Sequence, residues 1–391
     1  MRAAVTEAAA RDLRVRMVGG GFAVGPVAMC DGILLKPDAL TRMEWLDPEV
    51  ILVAAGVTLA ALVTELQAAG RGLDGLAGPA AATLAGAVST AGYGPRAPLS
   101  NSVQALHLVG ADGASQRVAS DQPLARAAMG GLGAFGLITA VELRTLPTCS
   151  DEVTTTVATF DDALDSWREW DTTAHWLRML WVPGSRRVAI HRGVRTPAGQ
   201  GALSTAQPTI AEPRWRRRLG LAVPLVLPRL NRDAVVGSPN GSQTHVAWSA
   251  GVAHGTTREI TTTWSVPLDC TLPALRTLRE ALRSAAASTT TAISVRTIDA
   301  DAGLLSPFVD RRSALISARV RLPAPFERYF ASVAGALVPF SARPHWGSYL
   351  PDTGDAPMAG HPGVTPARAL RAQIDPQGLF DSMAVARLLG S

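Results

Sequence analysis

Residues 78–94 read GPAAATLAGAVSTAGYG, a stretch in which small side chains dominate. Thr83, Ser89 and Thr90 add hydroxyl groups to it. A backbone with so little side-chain bulk can approach a flat or anionic ligand closely, and the hydroxyl groups can fix how that ligand is oriented. The stretch therefore predicts a ligand-binding segment.

Two other glycine-rich stretches lie in the same N-terminal part of the chain. A strand pattern at residues 13–18 runs into GGGFA at 19–23, and MGGLGAFGLIT at 129–139 precedes another strand. Consecutive glycines can turn successive N–H groups toward one point, which suits a pyrophosphate, although a tight turn is the alternative for the triple glycine alone. Val24 stands where a dinucleotide-binding GxGxxG pattern needs its third glycine. Three such loops together predict one long ligand held between them.

The surrounding pattern is α+β. Apolar residues recur at helical spacing over 59–69, and a turn at 111–113 favours a hairpin. Strands are predicted at residues 51–55, 103–109, 115–118 and 137–146. After a change of composition near 147–151, strands are predicted at 259–266, 293–298 and 313–322, with helices at 272–286, 366–374 and 381–389. Residues 197–241, rich in Pro, Gly and Arg, predict a long irregular excursion.

Composition and charge exclude several classes of function. The net charge of +5 is spread along the chain, and its only basic run, at 214–218, passes at once into an apolar stretch at 219–230, so we expect no nucleic-acid partner. That apolar stretch is too short and too interrupted by proline to span a membrane, and the N-terminus lacks the apolar core of a signal peptide. Cys30, Cys149 and Cys270 have no metal-ligand spacing. We expect a cytoplasmic protein with reduced thiols and no metal.

Taken in order, these segments resemble the FAD-linked oxidases of the vanillyl-alcohol-oxidase (PCMH-type) fold, in the sugar-1,4-lactone (arabinono/gulonolactone) and alditol oxidase branch. Residues 18–23 resemble V-G-S-G-H-S, residues 83–94 resemble T-L-A-G-A-I-S-T-G-T-H-G, and residues 131–139 resemble G-L-G-A-L-G-V-I-T. Residues 109–113, 294–298, 305–307, 343–347 and 375–380 resemble V-T-A-D-G, E-I-R-T-I, L-S-P, R-P-H-W-G and D-P-x-G-x-F. The resemblance spans nearly the whole chain.

The resemblance implies a two-domain fold: an FAD-binding domain at 1–148, N-terminally shortened, an antiparallel-sheet substrate (cap) domain at 149–340, and a C-terminal segment at 341–391 that returns to the FAD domain. It implies FAD as cofactor and a small-molecule substrate. The residues predicted to hold FAD are Gly19, Gly20, Gly21, Phe22, Ala23, Thr83, Gly86, Ser89, Thr90, Gly92, Gly94, Gly133, Gly136 and Ile138.

Several side chains that carry the family's chemistry are replaced. Phe22 stands in place of the histidine that bonds covalently to the flavin, so any FAD is predicted to be non-covalent. Tyr93 replaces a second motif histidine, Ser294 replaces the glutamate before I-R-T, and Ser348 replaces the lysine after H-W-G. A serine hydroxyl can hydrogen-bond but is neither base nor cation at neutral pH. The ancestral sugar oxidation is therefore expected to be largely lost.

The predicted catalytic group comprises Arg296, His345, Ser294 and Ser348. In the family a flavin accepts hydride from a carbinol carbon; here Arg296 would supply positive charge and His345 would act as base or flavin contact. Each has an alternative: Arg296 as a sheet-surface arginine and His345 as a satisfied core histidine. The leading hypothesis is an FAD-dependent oxidoreductase with a changed, less polar substrate. The alternatives are a non-redox or cofactor-free catalyst or ligand-binding protein, and a non-catalytic partner subunit.

Overall fold

The structure, a computed structural model, describes residues 1–197, 241–246, 252–253, 259–284, 291–352 and 360–390, with backbone alone at 197, 241–246, 252–253 and 284. The irregular stretch predicted at 197–241, with its arginine run and its apolar segment, lies outside these residues except at its two ends. Within the described ranges the chain forms two lobes, each built around its own antiparallel sheet.

The first lobe contains a five-stranded antiparallel sheet. Its strands, in spatial order, are β3 (Met43–Trp45), β4 (Val50–Ala54), β9 (Leu137–Arg144), β7 (Val103–Val109) and β8 (Ser115–Ala119). The predicted hairpin is present, because β7 pairs with β8 across the turn at residues 110–114. A separate parallel pair consists of β1 (Arg14–Met17) and β2 (Gly32–Leu35). The triple glycine follows β1 closely in the sequence.

The helices of the first lobe cover this sheet and the small β1–β2 pair. They are α1 (Arg2–Ala10), α2 (Leu59–Ala68), α3 (Leu84–Ser89) and α4 (Pro123–Ala128), with a 3₁₀ turn at Leu99–Ser102. Thr58 caps α2, since its hydroxyl accepts a hydrogen bond from the backbone N–H of Ala61. Helix α1 was not predicted; it buries Val5 and Ala8 beside β1.

The second lobe contains an eight-stranded sheet in which every pairing is antiparallel. Its strands, in spatial order, are β14 (Gly241–Val246), β11 (Cys149–Thr159), β13 (Arg187–Pro197), β12 (Trp176–Trp181), β17 (Ile293–Ile298), β18 (Ser313–Arg321), β16 (Glu259–Pro267) and β19 (Arg343–Pro344). Its helices are α5 (Phe160–Asp165), α6 (Trp167–Thr173), α7 (Thr271–Ser284) and α8 (Glu327–Leu337), with 3₁₀ turns at Leu268–Cys270 and Val338–Phe340. Two short pairs form separate two-stranded sheets: β5 (Arg71–Gly72) with β10 (Leu146–Pro147), and β6 (Gly78–Pro79) with β15 (Val252–Ala253).

The two faces of the eight-stranded sheet differ in polarity because successive side chains of a strand point to opposite faces. One face is apolar and packs against α7 and α8; Met179, Val295 and Ile316 belong to it and are fully buried. The other face carries polar and charged side chains and is turned toward the first lobe; it includes Arg178, Ser294, Arg296, Ser317 and Arg319. The sheet therefore offers a polar surface to the space between the lobes.

The C-terminal helices α9 (Val364–Ile374) and α10 (Met383–Leu389) pack on the core of the first lobe. Asp375, between them, accepts hydrogen bonds from the backbone N–H groups of Leu379 and Phe380, which shapes the predicted turn at 375–378. The α+β class and the antiparallel cap sheet are confirmed. The domain limits at 148 and 340 remain predictions.

No helix in the part of the chain that the structure describes is both long and apolar enough to cross a bilayer. The three cysteines are free thiols.

Candidate active site

A cleft of about 540 Å³ lies between the polar face of the second-lobe sheet and the glycine-rich loops of the first lobe. That volume is within the range of small-molecule sites. All three glycine-rich stretches contribute to its wall, as do strands β12, β16, β17 and β18. The structure thus brings together three segments that are spread over residues 19–139 of the sequence.

At Gly19 and Gly20 the triple glycine packs against the second stretch so closely that no side chain fits. A Cβ atom at Gly19 would lie 2.0 Å from the Thr83 hydroxyl, and one at Gly20 would lie 2.4 Å from the Ala81 carbonyl oxygen. Gly21 has a φ of +70°, a conformation that side chains disfavour. Glycine at these positions is therefore required for the wall of the cleft to form.

The second stretch forms helix α3 and the tight loop after it. The Thr83 hydroxyl caps α3 by accepting from the N–H of Gly86, and the Thr90 hydroxyl donates to the Gly86 carbonyl at 2.9 Å. Ala91 follows in the left-handed region with a φ of +55°. Gly94 lies away from the cleft, where it packs against the backbone of Gly75.

Arg16 fixes the third stretch relative to the first. Its guanidinium group is 3% exposed and donates to the carbonyl oxygens of Phe380 at 2.9 Å, Val27 at 2.8 Å, and Leu132. Burial lowers the pKa of Arg16 to about 10. Because Leu132 adjoins Gly133, which lines the cleft with a φ of +74°, this one side chain links β1, the third glycine stretch and the C-terminal segment.

Phe22 lies at the wall of the cleft with 47% of its surface exposed. Its ring folds back over Gly20: a Cβ atom there would lie 2.8 Å from the ring edge. The ring therefore borders the cleft without filling it.

His345 enters the cleft from the loop after β19. Its Nε2 lies 3.1 Å from the Ala91 carbonyl oxygen, and because a carbonyl only accepts, Nε2 carries the proton and Nδ1 is the unprotonated ring nitrogen. Burial lowers the pKa of His345 to about 4, so the ring is neutral at physiological pH. The Tyr93 ring contacts the His345 ring edge-on, with 5.4 Å between centroids.

Ser348 does not line the cleft; it holds the loop that carries His345. Its hydroxyl donates to the His345 carbonyl at 2.7 Å and accepts from the backbone N–H of Thr263 at 3.2 Å. The N–H of His345 in turn donates to the Thr263 carbonyl. Ser348 therefore ties the His345 turn to strand β16.

Arg178 and Arg296 are direct cross-strand partners on β12 and β17, and both line the cleft. Arg178 donates from Nε to the Ser294 hydroxyl at 3.1 Å, and Ser294 is itself buried beneath the cleft wall. Arg296 makes no hydrogen bond or ion pair with any residue in the described ranges. Burial lowers the pKa of both arginines, and the proximity of Arg296 further lowers that of Arg178.

A third arginine, Arg319 on β18, completes the charged side of the cleft. It donates to Glu259 at 3.4 Å, and Arg321 donates to the other oxygen of the same carboxylate at 3.2 Å. Glu259 is the only carboxylate among the described residues of the cleft wall.

The placement of the predicted site residues is uneven. Those that line the cleft are Gly19, Gly20, Gly21, Phe22, Ala23, Thr83, Gly86, Ser89, Thr90, Gly92, Gly133, Gly136, Ile138, Arg296 and His345. Gly94, Ser294 and Ser348 lie behind the wall. Sequence reasoning did not select four charged residues that line the cleft, Arg16, Arg178, Glu259 and Arg319. The one available signal was the alternation of polar and apolar residues along β18, which puts Ser317 and Arg319 on the polar face.

The residues of the cleft fit FAD. The close contacts at Gly19 and Gly20 leave a groove bordered by backbone, hydroxyl groups and small side chains, which suits a long nucleotide. Arg296 and His345 line the same cleft as those loops. Among the residues that the structure describes, no group of histidine, cysteine and carboxylate side chains could hold a metal ion.

Comparison with known proteins agrees with this site. Residues 1–119 match an FAD-binding domain. The solved structure of cholesterol oxidase from Brevibacterium sterolicum superposes with a TM-score of 0.79 at 15% identity, over 98% of this chain and 91% of that one, which establishes a shared fold. The fold and the cleft therefore define an FAD-dependent oxidoreductase.

The chain belongs to the D-arabinono-1,4-lactone oxidase family, whose pattern matches residues 141–388. It is 25% identical to the L-gulono-1,4-lactone dehydrogenase of Mycobacterium tuberculosis, over 99% of this chain and 92% of that protein. It is 26% identical to the alditol oxidase of a Streptomyces species, over 92% and 86% of the two chains. These matches favour the oxidoreductase hypothesis over the cofactor-free alternative.

Proposed function

We propose that the chain is a non-covalent FAD enzyme that oxidises the CH–OH group of a small molecule. The observation that carries this proposal is the meeting of three glycine-rich loops with Arg296 and His345 in a single cleft. In this proposal the segments 1–148 and 341–391 hold the cofactor and 149–340 covers the substrate. The sugar-lactone and alditol relatives support a hydroxyl-bearing substrate.

When bound, FAD supplies the hydride acceptor for the substrate carbon. The glycine loops at 19–21, 83–92 and 133–136 would hold the cofactor through backbone N–H groups and hydroxyls. The polar sheet face with Arg178, Arg296 and Arg319 would bind and orient the substrate. Closure of the cleft between two lobes would exclude water from the reacting carbon.

His345 is the group we propose to take the hydroxyl proton. Its Nε2–H donates to the Ala91 carbonyl, so Nδ1 is the ring nitrogen that would accept the proton. Its low pKa keeps the ring unprotonated across neutral pH, and so able to accept. Ser348 would act as a positioning residue for this turn, through its hydrogen bonds to His345 and Thr263.

Phe22 supports non-covalent attachment, because its ring has no nucleophilic atom. His345 is the only histidine among the described residues of the cleft wall, and none of the cysteines lines it. The purified, desalted protein should therefore show visible flavin absorption, and acid precipitation should release all of that absorption into the supernatant. Colour that stays with the precipitated protein would contradict non-covalent binding.

The same preparation tests the oxidoreductase proposal. Under anaerobic conditions, a set of small alcohols, polyols and hydroxy acids is added and bleaching of the flavin absorption is followed. We expect at least one compound to bleach the wild-type protein, and His345→Gln to slow that bleaching at least about 100-fold, the range of a lost general base. A desalted protein without flavin absorption that also fails to bind added FAD would overturn the proposal.

A further inference from the structure

The wall of the cleft carries more positive than negative side chains. Arg178, Arg296 and Arg319 line it, whereas Glu259 is the only carboxylate of the described wall and is shared with Arg321. Arg16 also lines the cleft, but its guanidinium is occupied by three backbone carbonyls. Arg178 and Arg296 are therefore left without a counter-charge among the described residues.

The position of these two arginines makes the imbalance costly. Direct cross-strand partners have Cβ atoms about 4.5–5.5 Å apart, and like charges so placed repel each other. Arg178 is only 8% exposed, so water screens the repulsion weakly. Ser294 contributes a neutral hydroxyl to Arg178, and Arg296 has no hydrogen-bond or ion-pair partner among the described residues. A sheet that holds two such cations together has a ready site for an anion.

Guanidinium groups also set the geometry of that anion. Each presents a planar fork of N–H donors that matches the oxygens of a carboxylate or phosphate, often through two parallel hydrogen bonds. The ring system of oxidised FAD is uncharged and does not balance the pair. We infer that the cleft takes a substrate that carries an oxyanion, a carboxylate or phosphate group, bound between Arg178 and Arg296, with the oxidisable hydroxyl elsewhere on the same small molecule.

This inference rests on the proposed function, because it names the substrate class of the same site. It differs from the expectation of a less polar substrate drawn from the lost glutamate and lysine. Arg178 meets a neutral hydroxyl at position 294, where the family motif has glutamate, so the charge of the two arginines is left for a ligand to balance.

The test uses FAD-loaded protein in a low-salt buffer with malonate, inorganic phosphate and the neutral isostere malonamide as probes. Calorimetric titration and thermal unfolding are measured for each. We expect malonate or phosphate to bind and raise the unfolding temperature, and malonamide to do neither. Tighter binding of malonate would indicate a carboxylate substrate, and tighter binding of phosphate would indicate a phosphate ester.

Variants assign the binding to the arginine pair. Arg178→Gln and Arg296→Gln should each weaken anion binding about tenfold or more, as expected for a lost charge-assisted contact. Arg283→Gln, the same change on exposed helix α7, should leave it unchanged. Ser294→Glu should supply the anion internally and abolish malonate and phosphate binding while FAD is retained. Without added anion, Arg296→Gln should unfold at a higher temperature than the wild type, because it removes a repulsion.

Two results would overturn the inference: anions that bind no better than malonamide, or equal losses in Arg283→Gln and Arg296→Gln. Its failure is distinguishable from failure of the proposed function. A protein that binds FAD and is bleached by a neutral alcohol, but binds no anion, contradicts the inference alone. If the protein never binds FAD, the same titration is made on the FAD-free protein, and malonate binding there through the two arginines contradicts the proposed function alone.

Discussion

Arg178 Nε lies 3.1 Å from Ser294 Oγ, so a buried serine holds one of the two paired arginines in place. Ser294 is 4% exposed and occupies the position of the family's glutamate. The serine hydroxyl thus accepts a hydrogen bond from the arginine, but unlike a glutamate carboxylate it carries no negative charge. Ser294 is accordingly better described as a positioning residue for the charged wall than as a group that meets the substrate.

Ser294→Ala should lower the free energy of unfolding by about 1–3 kcal/mol, because it leaves a buried, charged donor without its acceptor. Denaturant unfolding measures the change. Ser332→Ala on helix α8, whose hydroxyl bonds only within its own helix, serves as the control and should stay within about 0.5 kcal/mol of the wild type. A Ser294→Ala protein as stable as that control would show that the hydrogen bond from Arg178 to Ser294 does not stabilise the fold.

Gly19→Ala should weaken FAD binding at least about tenfold. The new Cβ atom would meet the Thr83 hydroxyl at 2.0 Å, which forces the first two glycine stretches apart. Fluorescence titration of the apoprotein with FAD measures the affinity. Gly25→Ala, where the nearest atom is 3.8 Å away, provides the matched control and should bind FAD like the wild type. Equal affinities in the two variants would show that the contact between the stretches does not shape the cofactor site.

The sequence predicted the elements of the first lobe closely because local patterns determine them. The strand predicted at 103–109 is β7 (Val103–Val109), and the helix predicted at 59–69 is α2 (Leu59–Ala68). The convergence of the three glycine stretches was also predictable, since each lacks side chains where another backbone must approach.

The charged wall was less accessible to sequence reasoning because it depends on strand register. Arg178 and Arg296 are 118 residues apart and meet only because β12 and β17 are neighbours in a particular register. Ser348 was predicted as a site residue from its place in the family motif, but a hydrogen-bond network with Thr263 turns it away from the cleft. Motif position identifies a segment, and packing decides which of its side chains reach the ligand.

Ala91→Gly should raise the free energy of unfolding by about 1 kcal/mol. Ala91 has a φ of +55° at the point where the family motif has glycine. For an L-residue with a side chain this conformation costs roughly 1–2 kcal/mol. The greater conformational freedom of glycine in the unfolded chain offsets part of the gain. Ala61→Gly, at a helical position in α2, should instead lower it by about 1 kcal/mol. Denaturant unfolding of both variants tests the opposite signs; two losses of equal size would show that Ala91 is unstrained.

Asp301→Asn should stabilise the protein at neutral pH but not in acid. Asp301 is 7% exposed and accepts from the Ser100 hydroxyl at 2.6 Å, and burial raises its pKa from 3.8 to about 6. Between those two values the folded protein holds a proton that the unfolded chain has released, so the free energy of unfolding falls as pH rises through this window. A carboxylate that must ionise in a buried site thus destabilises the wild type above about pH 6, and asparagine does not ionise.

The gain from Asp301→Asn should therefore be near zero at pH 4 and grow to about 2–3 kcal/mol at pH 7.5, the equivalent of roughly two pKa units. Urea unfolding of both proteins at the two pH values measures it. Asp121→Asn, at an exposed position before α4, controls for loss of a carboxylate elsewhere. An Asp301→Asn gain that is the same at both pH values would contradict the assignment, because a difference in packing alone carries no such dependence on pH.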